Sequence, residues 1–113
     1  MDNQLMSMTD ELRREILTQC FEVNFVIADL RNNISTTDGS HERYSNARSA
    51  LISVVTLASI YPKFFDAVET RYKKVLSRKW KNPTSRSVYK MNAELVSLWI
   101  HITRTLTDVK IIE

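Results

Sequence analysis

The chain has 113 residues with one glycine, two prolines and one cysteine, and a net charge of +3. That length fits a single domain, residues 1–113, whose core can form unaided but with little stability to spare. So few turn formers exclude a strand-rich fold, one cysteine excludes an internal disulfide, and one glycine leaves no Gly-rich phosphate loop.

The first helix is expected at about 9–31. Ser7, Thr9 and Asp10 are candidate caps, and Asp10 and Glu11 sit in the first turn, where the helix dipole favours acids. Leu12, Ile16, Cys20, Val23, Ile27 and Leu30 recur every three or four residues, which is helix periodicity. Leu17, Phe21, Phe25 and Ala28 form a second apolar stripe on the opposite flank. A helix that is apolar on two sides needs two sets of neighbours.

Residues 32–40, NNISTTDGS, read as a loop, since Asn, Asp, Ser and Thr bond their own backbone and Gly39 admits positive φ. Ser40 is the expected cap of a second helix at 41–60. Its core stripe is Tyr44, Ala47, Leu51, Val54, Val55 and Ala58. The other face (Ser45, Ser49, Ser53, Thr56, Ser59) carries no charge, which suggests a helix removed from water.

A third helix is expected at 62–80, with Pro62 in its first turn, where a missing N–H costs nothing. Phe64, Phe65, Val68, Tyr72, Val75 and Leu76 form its apolar arc, and Lys63, Arg71, Lys74 and Arg78 a cationic strip with no acid beside it. After a break at 81–84, Thr84 or Ser85 caps a fourth helix at 86–108. Val88, Met91, Leu95, Leu98, Trp99, Ile102 and Leu106 form its main stripe, and Tyr89, Ala93, Val96 and Ile100 a weaker second one. The termini, 1–8 and 109–113, are expected to be flexible.

Four such helices predict an all-α bundle, antiparallel and self-associating, with the spare faces of the first and fourth helices as subunit interface. The interface candidates are Leu17, Phe21, Phe25, Tyr89, Val96 and Ile100.

Charge is segregated along the chain. Residues 1–43 carry eight acids and four Lys/Arg, and residues 44–113 carry five acids and twelve Lys/Arg. Eight of those twelve cations lie between Arg71 and Lys90, a run that contains no acid. Cations interleaved with aromatics are what a backbone-directed nucleic-acid binder uses. The candidate contacts are Arg71, Lys74, Arg78, Lys79, Lys81 and Arg86, with Trp80 either stacking on a base or joining the core. Tyr72 falls on the apolar arc and reads as core. The same block could instead meet an acidic protein or an anionic membrane surface, or be balanced by the chain's own acidic half.

Reactive chemistry is sparse. His41 and His101 are sixty residues apart and no metal-ligand spacing occurs, so neither a metal nor another cofactor is expected. Cys20 lies on a core stripe and reads as a small buried hydrophobe. His101 shares a polar face with Glu94 and reads as solvated or Glu94-paired. Asp38, Ser40 and His41 are neighbours in sequence, which does not make a catalytic relay. The expectation is a non-catalytic binding protein with no small-molecule substrate, either a nucleic-acid-backbone binder or a protein assembly module. The N-terminus lacks the apolar run of a secretory signal. The longest uncharged stretch, 49–62, is too short and too rich in Ser, Thr and Pro for a membrane span. A cytoplasmic setting is therefore expected.

Overall fold

The computed structural model describes residues 3–80 and 84–112, with side chains from Asp10 onward. Four helices pack into an all-α bundle: α1 (Asn3–Asn32), α2 (Ser40–Ala58), α3 (Pro62–Leu76) and α4 (Ser85–Asp108). α1 packs along α2 and α3 along α4, while α4 touches all three other helices. The result is an elongated body of 55 × 24 × 18 Å, set by a first helix whose 30 residues rise about 45 Å.

The periodic stripes become the core. Ile16, Val23, Ile27 and Leu30 of α1 meet Ala47, Leu51, Val54 and Val55 of α2, Phe64 and Val68 of α3, and Leu95, Leu98, Ile102 and Leu106 of α4. Leu12, Tyr72 and Leu76 are half-buried against this cluster. Each fully buried aliphatic or aromatic side chain contributes roughly 1.5–3 kcal/mol of transfer free energy.

The ends of the helices differ from the sequence expectation in instructive ways. α1 begins at Asn3, upstream of the expected caps, and the side chains of Ser7 and Thr9 lie outside the described residues. Ser40 is the first residue of α2 and not its cap. Gly39 holds the N-cap position at φ 67°, without a side-chain cap. The loop is fastened instead by Arg43, whose guanidinium donates to the Thr36 and Asp38 carbonyls at 3.1 and 2.7 Å. Ser40 spends its hydroxyl on the Thr37 carbonyl. α3 stops at Leu76, four residues early, so Arg78, Lys79 and Trp80 are not helical. α4 opens on Thr84, in a reciprocal capping box with Ser87.

The uncharged face of α2 corrects another expectation. Ser49, Ser53 and Thr56 are exposed, not removed from water. Ser53 bonds back to the Ser49 carbonyl, so this polar face satisfies itself locally, and lack of charge did not signal burial.

The state of the tail is not set by its sequence pattern. Val109 caps α4, Lys110 takes a left-handed conformation at φ 61°, and Ile111 turns inward to 4% exposure. Lys110 N–H donates to Thr107 and Ile111 N–H to Leu106. Those two bonds make a Schellman motif, which folds residues 109–112 back against the bundle.

Candidate functional site

Two surfaces hold the candidate residues. The first is built by α1 and α4. Trp99 Nε1 donates to Asn24 Oδ1 at 2.8 Å across their seam, and buried Asn92 donates through Nδ2 to the carbonyl of Ile34, in the loop after α1, at 3.1 Å. Just outside the seam on α1 stand Leu17, Phe21 and Phe25, exposed by 41, 74 and 80%. On α4 the matching ridge is Tyr89 and Ile100, exposed by 52 and 45%, with Val96 half-buried between them. Ile100 follows Trp99 directly and Phe21 lies three residues before Asn24. Phe25 also borders a cleft towards α2, with Val26, Asp29, Arg43 and Asn46. Phe21, Glu22 and Phe25 line an open concavity on this face.

The second surface is the basic segment at the α3–α4 end. Arg71, Lys74, Arg78, Lys79, Arg86 and Lys90 are all exposed, and Lys81 lies outside the described residues. The strip is not free of acids, as its sequence suggested. Glu94 crosses from α4 to pair with Arg78 Nε at 2.9 Å. Arg71 donates to Ser97 Oγ, and Lys73 pairs with Glu69 one turn away. Arg78, Lys79, Ser87, Lys90, Met91 and Glu94 line one shallow cleft.

Trp80 does not stand out as an exposed platform. It is half-buried against the core, with its ring 4.9 Å from Tyr44 and 5.4 Å, edge-on, from His41. Because α3 ends early, the chain can fold back and lay this indole across the start of α2. Burial raises the Tyr44 hydroxyl pKa, with Arg48 nearby pulling the other way.

The remaining reactive groups serve the fold. Glu94 is engaged by Arg78, so His101 turns to α3 and donates through Nε2 to the Ala67 carbonyl at 3.1 Å. Cys20 is 7% exposed, and burial pushes its thiol up to about 11. Ser40 is buried and His41 rests on Trp80, so neither addresses the other in a relay. Among the described residues, no three His, Cys, Asp or Glu side chains gather as a metal cage requires. No helix among them is long and apolar enough to cross a membrane.

Sequence reasoning missed the Glu94–Arg78 bridge, the His101–Ala67 contact and the 68% exposure of Ile60. The first two join separate helices and have no local signal. Ile60 could have been found, since it follows the last core position, Ala58, and precedes Tyr61-Pro62, which start a new helix. Comparison with protein-family models, with curated proteins and with solved structures finds no match to this chain.

Proposed function

We propose that this protein is a non-catalytic assembly module that binds another protein chain through the outer face of α1 and α4. One observation carries the reading: Phe21 and Phe25 lie in adjacent turns, 74 and 80% exposed, on a helix whose opposite side is already filled by the core. Two such phenyl rings, continued by Leu17, Ile100 and Tyr89, form an apolar patch of the kind that marks interaction sites. An antiparallel course of the helices and a cytoplasmic setting belong to the same proposal, the latter suited to a lone reduced cysteine.

A photo-crosslinking amino acid placed at position 25 tests the reading in expressing cells, with position 56, exposed on α2, as control. A discrete protein adduct from position 25 and none from position 56 is the expected result. No adduct from position 25, or the same products from both positions, overturns it.

A second reading rests on Lys74, Lys79, Arg86 and Lys90, which are exposed and make no ion pair among the described residues. Such cations suit phosphate backbones, with binding that falls steeply as salt rises. A low-salt mobility shift lost in a Lys74→Ala/Lys79→Ala/Arg86→Ala variant would favour this reading. No shift with wild type removes it.

A further inference from the structure

We propose that the groove between α3 and α4 binds a condensed phosphate chain, either inorganic polyphosphate or the triphosphate tail of a nucleotide. This site is separate from the assembly face, and it gives the cations of the second reading a defined place and ligand.

Contacts between the two helices fix the groove walls. His101 meets the Ala67 carbonyl, Arg71 donates to Ser97 Oγ, and Arg78 pairs with Glu94. Two clefts of about 220 and 320 Å³ open along this line. Arg71, Lys74, Val75, Arg78, Glu94 and Ser97 line the first, and Arg78, Lys79, Ser87, Lys90, Met91 and Glu94 line the second. They share Arg78 and Glu94, so they form one continuous groove. From Ser97 to Ser87 it follows α4 for about 15 Å.

The charge of the groove is one-sided. Arg71, Lys74, Arg78 and Lys79 enter from α3 and the segment after it, and Lys90 enters from α4. Glu94 is the one acid among these lining residues. Glu69 is turned away, paired with Lys73 about 160° around α3 from Arg71. Glu94 takes the Nε donor of Arg78 at 2.9 Å, one of the five N–H donors of a guanidinium. It therefore holds Arg78 in place without exhausting it, as Ser97 does for Arg71. Both forks stand pre-positioned, which lowers the ordering cost of binding.

These cations work against the helices that carry them. Arg71 and Lys74 are three residues apart and Arg86 and Lys90 four apart, spacings at which like charges weaken a helix. Arg86 also lies in the first turn of α4, which has no acid, where the helix dipole disfavours a cation. An anion in or beside the groove offsets each of these repulsions.

Charge density and lining select the ligand. Five cations border about 15 Å of groove. An extended acidic peptide turns only alternate side chains to one wall, about 7 Å apart, which is too sparse to match them. A nucleic-acid strand would bring bases that need stacking partners, and no aromatic side chain lines the groove. Trp80 is packed on Tyr44 and His41, and Tyr89 belongs to the α1–α4 face. Directly linked phosphates carry charge at every unit and need no stacking surface. Arginine forks and lysine point charges both suit their oxygens.

Isothermal titration calorimetry of the full chain at low salt tests the site with sodium tripolyphosphate, ATP, inorganic phosphate and an oligothymidylate. Tripolyphosphate should bind at one site, roughly tenfold or more tighter than inorganic phosphate, because it engages several cations at once. A Lys74→Ala/Lys90→Ala variant removes one exposed cation from each wall. It should weaken that binding about tenfold, with helicity unchanged by circular dichroism. An Arg14→Ala/Arg31→Ala variant removes the same charge from exposed positions of α1 and should bind as wild type does. ATP as tight as tripolyphosphate would identify a nucleotide tail as the ligand, and much weaker ATP would identify free polyphosphate. A wild type that does not bind tripolyphosphate overturns the proposal. So does equal weakening by the two variants, or equal affinity for phosphate and tripolyphosphate. Oligothymidylate binding without tripolyphosphate binding would sink the condensed-phosphate site while leaving the second reading in place.

Discussion

Trp99 on α4 and Asn24 on α1, 75 residues apart in sequence, share a 2.8 Å hydrogen bond that sets the register of the two helices forming the outer face. Asn24→Ala removes the acceptor but gains about 0.5 kcal/mol of helix propensity, so its net cost should be only ~0.5 kcal/mol. Trp99→Phe should cost about 1–2 kcal/mol, since the indole is nearly buried and loses volume as well as its bond. Urea unfolding of both variants and the double variant should give a coupling of about 0.5–1.5 kcal/mol. Strict additivity would show that the bond does not hold the seam.

Two residues with positive φ should respond to substitution with opposite sign. Gly39 sits at φ 67°, and a Cβ there would approach Arg43 Nη1 at 3.2 Å, against the guanidinium that fastens the loop. Gly39→Ala should therefore destabilise by about 1–2 kcal/mol. Lys110, at φ 61°, already bears the strain of a side chain in the left-handed region. Lys110→Gly relieves it at the usual glycine position of a Schellman motif and should stabilise by ~0.5–1 kcal/mol. Calorimetry should show melting temperatures moving in opposite directions. A lowered value for Lys110→Gly would mean that its side chain contributes contacts outweighing the strain.

The core stripes were legible in the sequence because helix burial is periodic and local. Tyr44, Ala47, Leu51, Val54, Val55 and Ala58 of α2 are all buried as their spacing implies. The spare stripe of Leu17, Phe21 and Phe25 was legible for the same reason, and it is exposed. What periodicity cannot show is which helix lies beside which. Glu94 reaching Arg78, and Trp80 reaching Tyr44, depend on a packing order that no single helix encodes. The end of α3 at Leu76 was hidden because Ser77, Arg78 and Lys79 are all acceptable helix residues. Trp80 settles the matter by finding a place on α2, an instance of tertiary contact overriding propensity.

Trp80 should behave as a packing residue. Trp80→Ala should cost about 1–3 kcal/mol, below the ~3–5 kcal/mol of a fully buried tryptophan, because the ring is only half-buried. Trp80→Phe should recover much of that by keeping an aromatic contact with Tyr44. If denaturant melts of Trp80→Ala matched wild type, the indole would be free to stack on a ligand and the nucleic-acid reading would gain.

Cys20 offers a pH-dependent check on the core. Burial raises its thiol from 9.0 to about 11, so the folded chain keeps the proton that the unfolded chain releases. The sign follows from that difference. This contribution to stability is complete below pH 9 and is lost as pH climbs towards 11. At pH 8 an alkylating reagent should label the native chain at least tenfold more slowly than the denatured chain, because both access and thiolate are withheld. Equal rates would place Cys20 at the surface.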